Sequence, residues 1–228
     1  MRNILLVWDI DGTLIQAGGL GKDAMDKAFF DMYGIKEAFR TVNMAGAIDG
    51  TIIKDVFSVH DMENKDPSPF CEKYCGYLAE NISSLNYDIT APGISFLLSA
   101  ISEMKHVFNA LGTGNMEKAA RIKLSADNLN RHFPVGGFGD IEMERWKVIR
   151  QAVQNSKEHF RADFKNQDIY IIGDTPRDIE CGKRLKVKSI AVATGWHSYE
   201  ELCDNQPDYL FRDLTDAGSF FKILMQEQ

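Results

Sequence analysis

The stretch Ile4-Leu5-Leu6-Val7-Trp8-Asp9-Ile10-Asp11-Gly12-Thr13-Leu14 sets an apolar run directly against two aspartates, a glycine and a threonine. An apolar run of this length bounded by polar residues predicts a parallel strand covered on both faces, and such sheets carry ligands beyond the C-terminal ends of their strands. Asp9 and Asp11 fall at that end. An aspartate can attack phosphorus, and a second carboxyl nearby can protonate a leaving group while a divalent cation relieves the repulsion. Read alone, Asp11-Gly12-Thr13 also suits an ordinary turn after the strand.

Far downstream, Ile169-Tyr170-Ile171-Ile172-Gly173-Asp174 repeats the pattern and continues into Thr175-Pro176-Arg177-Asp178. Two strand-end carboxylate pairs in one chain are hard to explain as turns. Between them, Val107-Phe108-Asn109-Ala110-Leu111 leads into Gly112-Thr113-Gly114-Asn115 ahead of a helical stretch. A hydroxyl and flexible backbone amides at a helix N-terminus could cradle a phosphate oxygen.

With these blocks in order, the chain resembles the haloacid dehalogenase superfamily of phosphohydrolases. Asp9-Ile10-Asp11-Gly12-Thr13 is similar to its first motif, Thr113 to the hydroxyl of its second, and Gly173-Asp174-Thr175-Pro176-Arg177-Asp178 to its fourth. Its third motif is a single basic residue, for which Arg145, after Gly137-Phe138-Gly139, is the first candidate and Lys147 the competitor. The resemblance implies an α/β fold: a Rossmann-like parallel-sheet core with helices on both faces, formed by residues 1–15 and 89–228. It also implies a small all-helical cap, residues 16–88, inserted after the first motif.

The resemblance further implies a Mg2+-dependent phosphatase of small phosphate monoesters, similar to phosphoglycolate phosphatases. Asp9 would be the nucleophile, forming an aspartyl-phosphate that water hydrolyses, and Asp11 the acid for the leaving oxygen and then the base for water. Asp9, the backbone carbonyl of Asp11 and Asp174 would hold the metal, with Asp178 steering through water or toward the basic residue. Thr113, with the amides around Gly114 and Asn115, would bind phosphoryl oxygens beside Gly12, and Arg145 would clamp the phosphoryl group. An alternative for Asp178 and Arg145 is a structural salt bridge. Asp49, in Ala45-Gly46-Ala47-Ile48-Asp49-Gly50, resembles a cap loop facing the site; a solvent-exposed helix N-cap is the competing reading.

Two rivals remain in view. A phosphomutase resembling beta-phosphoglucomutase would carry a His in the first cap helix, and Gly18 to Phe30 contains none. A catalytically silent binding protein on the same fold would be expected to have lost a nucleophile or metal carboxylate.

At 228 residues, 44% hydrophobic and 26% charged, the composition is that of a soluble globular protein. The net charge of -7 argues against nucleic acid or anionic membrane as a partner. It permits a phosphate ester, because a metal and an arginine can reverse the potential inside one cleft. The N-terminal apolar run is too short for a signal peptide or a membrane span, so a cytoplasmic location is expected. Composition leaves oligomeric state open. Cys71 and Cys75 sit four apart in a helical stretch, a buried stripe rather than a metal or redox site. Trp8, Trp146 and Trp196 read as core or cleft-wall aromatics, and His197 is the one histidine placed near a strand end.

Helical spacing is expected around Ala24, Ala28, Phe29 and Met32 up to a Gly34 C-cap, then over 51–59, and from Asp66-Pro67 to Leu85. Gly18, Gly19 and Gly21 supply a flexible exit from the first strand. Beyond Ala91-Pro92-Gly93 the pattern alternates: helix 94–104, strand 106–111, helix 116–129, strand 135–138, helix 142–159, strand 169–172, helix 178–185, strand 189–193 and strand 209–211.

Overall fold

The computed structural model describes residues 2–140 and 144–225. β1 (Ile4–Trp8) is buried throughout and lies at the centre of a six-stranded sheet in the order β3-β2-β1-β4-β5-β6. It pairs in parallel with β2 (Val107–Gly112) on one side and β4 (Ile169–Gly173) on the other. β3 (Gly136–Gly137), β5 (Lys188–Val192) and β6 (Tyr209–Phe211) extend the sheet, again in parallel. The strands that end in Asp9 and Asp174 are therefore neighbours, as are those that lead to Asp9 and Thr113.

Successive strand residues face opposite sides of a sheet, and β1 shows what that does here. Ile4, Leu6 and Trp8 join a core with Leu97 of α4 (Ile94–Ser102) and Phe220 of α9 (Ala217–Met225). Leu5 and Val7 face Ile149 and Ala152 of α6 (Arg145–Phe160). A strand covered on both faces has to be apolar at every position, which is why it reads as an unbroken run.

Between β1 and α4 the chain forms α1 (Leu20–Tyr33), α2 (Asp49–Val59) and α3 (Ser68–Ser83). Phe29 of α1 meets Phe39, Phe57 and Phe70, with ring centroids 5.6–5.7 Å apart, and so centres the apolar interior of these helices. Gly34, at φ 73°, ends α1 in the left-handed turn that favours glycine. The outgoing and returning chains run side by side, with the amide of Gln16 donating to the carbonyl of Ile89 and that of Ala91 to Leu14. At the opposite edge the helices are tied to the sheet: the Asp49 amide donates to the Gly114 carbonyl at 2.8 Å and the Gly50 amide to Gly139 at 3.0 Å.

Several boundaries differ from expectation. The helix expected over 116–129 is α5 (Glu117–Lys123), which stops six residues early because the chain turns at Asn128, whose φ is 53°. α7 (Pro176–Leu185) starts earlier than expected, at a proline suited to a first helical turn. Of the helix expected from Glu142, residues 142 and 143 lie outside the described residues, and α6 begins at Arg145. α8 (Tyr199–Asp204) and α9 were not anticipated, although Ser198 and Glu201 form a capping box and Phe220, Ile223 and Leu224 a helical stripe. No described helix is long and apolar enough to cross a membrane.

Candidate active site

Asp9 follows β1 directly, its amide still bonded to the Ile172 carbonyl at 2.9 Å, so its side chain is fixed by the ladder of the central strands. Arg145, the first residue of α6, places Nη2 3.0 Å from Asp9 Oδ2 and 2.7 Å from Asp178 Oδ1. Asp178 is itself held by a capping box at the start of α7, its Oδ2 accepting from Thr175 Oγ1 at 2.7 Å. Asp174 is buried beside them and accepts from Thr13 Oγ1 at 3.4 Å. Ligand oxygens of Asp9, Asp174 and Asp178 lie within 4.8 Å of one another.

Among the described residues Arg145 is the one cation paired with this trio, through Asp9 and Asp178, and the balance of charge shows in their protonation. Burial pushes the Asp9 carboxyl up to about 6 against the pull of Arg145, with Asp178 and Asp11 adding repulsion. Burial also drives Asp174 well above the usual carboxylate range, and Asp9 and Asp178 push it further. For Arg145 burial disfavours the charge, but Asp9 and Asp178 outweigh it and keep the guanidinium protonated. The close packing demands glycine at two places: a Cβ on Gly195 would sit 1.6 Å from Asp174 Oδ2, and one on Gly12, where φ is 79°, 2.4 Å from the same atom.

Asp11 meets a different environment. Its carboxylate accepts from Lys123 Nζ at 2.6 and 2.8 Å and from Asn115 Nδ2 at 2.8 Å, while Lys123 donates once more to Asn115 Oδ1 at 2.7 Å. Asn115 Nδ2 also donates to Thr113 Oγ1 at 2.8 Å, which links the second-motif hydroxyl to the same network. Burial alone would raise the Asp11 carboxyl, but the attraction and hydrogen bonds of Lys123, with Asn115, hold it below its ordinary value.

Lys123 is the site residue that sequence reasoning missed. The signal was present: Met116, Ala119, Ala120, Lys123 and Leu124 recur at helical spacing, so the lysine stands in an otherwise apolar stripe, and all five are buried. A buried ammonium requires partners, and Asp11 and Asn115 are those partners.

These groups line a cavity of about 730 Å3 between the sheet and the three inserted helices. Asp9, Asp11, Gly12, Thr113, Gly114, Asn115, Arg145 and Asp174 all border it, so these expected residues come together. Asp178 is set behind Arg145 instead. Asp49 also borders the cavity and is buried, which removes the solvent-exposed N-cap reading; its Oδ2 accepts from the Met116 amide at 3.0 Å, just ahead of α5. Burial pushes this carboxyl up to about 6, although Lys123 and the Met116 amide pull it down. Lys147 lies away from the carboxylates, paired with Glu144 at 3.2 Å. A smaller cavity of about 540 Å3, lined by Trp146, Arg177 and Arg184, reaches the cluster only through Arg145.

Residues 147–217 match the family model described as HAD-hydrolase-like, and the fold and strand-end carboxylates agree with it. That segment is similar to the HAD-like hydrolases. The chain is 26% identical over 216 residues to phosphoglycolate phosphatase of Aquifex aeolicus, covering 93% of each chain. It is 36% identical over 75 residues to D-glycero-D-manno-heptose-1,7-bisphosphate 7-phosphatase of Chlorobaculum tepidum, which is 31% of this chain and spans about a third of that relative's length, 36%. Its fold is shared with a crystal structure of a predicted phosphatase from Clostridium acetobutylicum, with a TM-score of 0.69 and 21% identity over 97% of this chain and all of that one.

Proposed function

We propose that the chain hydrolyses small phosphate monoesters with Mg2+, through an aspartyl-phosphate on Asp9. The observation that carries this reading is the bracket around Asp9: a buried strand-end carboxylate that borders the cavity and is fixed by Arg145 at 3.0 Å. Phosphoryl transfer asks a protein mainly to position groups and neutralise charge. Arg145 meets both demands, because it holds Asp9 ionised for attack and presents the rest of its guanidinium to the phosphoryl oxygens.

The residues present fit a divalent cation. Three buried carboxylates lie together and Arg145 pairs with only two of them, Asp9 and Asp178, which leaves Asp174 without a cationic partner among the described residues. Asp9 and Asp174, with the backbone carbonyl of Asp11, would hold Mg2+, which supplies charge neutralisation and orientation when bound. Both oxygens of Asp178 are engaged, one by Arg145 and one by Thr175, so its part is to orient Arg145.

In this reading an Asp9 oxygen bonds to phosphorus as the ester P–O bond breaks, and Asp11, which must first take up a proton as the substrate binds, passes that proton to the departing oxygen. Asp11 then takes a proton from water, whose oxygen attacks phosphorus and frees Asp9. Thr113 and the amides near Gly114 and Asn115 contact the phosphoryl oxygens. Residues 16–88 act as a cap over a core of 1–15 and 89–228, with Gly18, Gly19 and Gly21 as its hinge and Asp49 on its inner face. Phosphate release from a panel of metabolite monoesters, with and without Mg2+, tests the reading. Mg2+-dependent release from at least one ester is expected, and no release from any overturns it.

A further inference from the structure

The cavity is larger than its phosphate chemistry needs. Clefts of about 300–1,000 Å3 accommodate drug-sized ligands, and this one measures about 730 Å3. Its wall from the inserted helices carries Leu20, Met25, Val42, Met44 and Ile52, with Lys22, Asn43 and Asp49 among them. At its rim stands Trp196, 80% exposed. Other exposed apolar side chains, such as Val59 and Phe96, lie outside this cavity.

Trp196 is not exposed for want of order around it. Thr194 Oγ1 donates to the Gly12 carbonyl at 2.6 Å, Gln16 Nε2 donates to the Thr194 carbonyl at 2.9 Å, and Ser198 caps α8 just beyond. Gly195, between Thr194 and Trp196, packs against Asp174 so closely that no Cβ fits. The indole is therefore presented from a loop pinned at both ends and anchored to the catalytic carboxylates, one residue away from the contact with Asp174. A tryptophan has a large apolar surface whose stable use is to be covered, and a flat ring covers it best, by stacking.

We propose that the ester taken by this site carries a flat aromatic ring in its alcohol half, which stacks on Trp196 while the phosphate meets Asp9. The proposal rests on the phosphatase reading for its second clause and on the cavity and Trp196 for its first. A two-carbon alcohol would leave both the apolar side chains of the wall and the indole uncovered, and a saturated ring would cover the wall without stacking on the indole.

Benzyl phosphate and ethyl phosphate isolate the ring, since both leave as alkoxides of similar basicity, and cyclohexylmethyl phosphate separates a flat ring from mere bulk. Stacking of a ring on an aromatic side chain is worth on the order of tenfold or more in affinity. The expected kcat/KM order is benzyl above cyclohexylmethyl above ethyl, with the benzyl-to-ethyl ratio falling about tenfold in Trp196→Ala, through KM, and largely restored in Trp196→Phe. A wild-type ratio near one, or a ratio that Trp196→Ala leaves alone, overturns the proposal. Quenching of tryptophan emission by benzyl phosphate is the second readout, with Trp196→Phe as its control. Should no ester be hydrolysed, the phosphatase reading fails; quenching by benzyl but not ethyl phosphate, absent in Trp196→Phe, would still support the ring site, and no quenching would overturn it as well.

Discussion

Asp9 and Asp11 are the same residue type, two positions apart, bordering one cavity, yet the molecule surrounds them in opposite ways. Asp9 shares Arg145 with Asp178, and burial, with repulsion from Asp178 and Asp11, raises its carboxyl to about 6. Asp11 has Lys123 on both of its oxygens and Asn115 on one, and is held below its ordinary value. The first cluster is short of positive charge and suited to a cation; the second is neutral as it stands. Identical side chains thus receive different chemistry from the helices behind them, α6 for one and α5 for the other.

The largest effect that would break this contrast is at Asp9. Asp9→Asn keeps the shape and removes the attacking oxygen, so turnover should fall by about 10⁴ or more for every ester, whatever its leaving group. Single-turnover release of the leaving group measures it, and a modest loss would transfer the nucleophile elsewhere.

Asp11→Asn should cost less and should discriminate. A positioned general acid contributes roughly 10² to 10⁴ in rate, and the need for it is greatest when the departing oxygen is basic. Ethyl phosphate should therefore lose far more than an aryl phosphate in the first step. The aryl ester should show a burst of phenolate followed by slow turnover, because the phosphorylated Asp9 still waits for a base. Equal losses for the two esters in the burst phase would remove the acid role.

What the sequence made legible follows the same division. The β1 and β4 ends were readable because a strand buried on both faces is apolar at every position, so a carboxylate directly after it stands out. The parallel sheet was legible from the alternation of helix and strand, though its strand order was not, and Arg145 from the resemblance around Gly137-Phe138-Gly139. Lys123 was hidden because its partners lie 112 and 8 residues away, and only the turn of α5 toward the cavity brings them together. The early end of α5 was missed for a related reason: nothing local announces that Asn128 takes a left-handed conformation, which many residues avoid and asparagine tolerates. Asp49 was placed on the cap loop, but its hydrogen bond to the Met116 amide depends on how the loop docks, which no pattern in residues 45–50 encodes.

Lys123 sharpens the comparison at intermediate size. Lys123→Met removes the cation and three hydrogen bonds while leaving Asn115 on Asp11. Losses of about 10- to 100-fold are typical when a residue that orients a functional side chain is removed, and Lys123→Arg should recover part of that loss. With its counterion gone, the Asp11 carboxyl should titrate higher, so the acid limb of the kcat profile for an aryl phosphate, whose slow second step uses Asp11 as base, should move to higher pH. A profile that stays in place would make Lys123 a packing residue only.

The smallest effect concerns stability and Asp49. Its carboxyl titrates near 6 in the fold against 3.8 ordinarily, so between those values the folded chain keeps a proton that the unfolded chain has lost. Stability therefore falls as the pH rises from about 4 to 6, and the penalty is complete above that range. A shift of two units would be worth about 3 kcal/mol in full, and roughly 1 kcal/mol is expected because the carboxylate borders the cavity and its water. Asp49→Asn keeps an acceptor for the Met116 amide and never ionises. Urea midpoints should accordingly match the parent near pH 4 and exceed it at pH 7.5. An opposing term exists, since an ionised carboxylate at the N-terminus of α5 is attracted by the helix dipole, typically by 0.3–1 kcal/mol. If Asp49→Asn proves less stable than the parent at pH 7.5, that attraction outweighs burial, and the ionised carboxylate is what fastens the cap loop to α5.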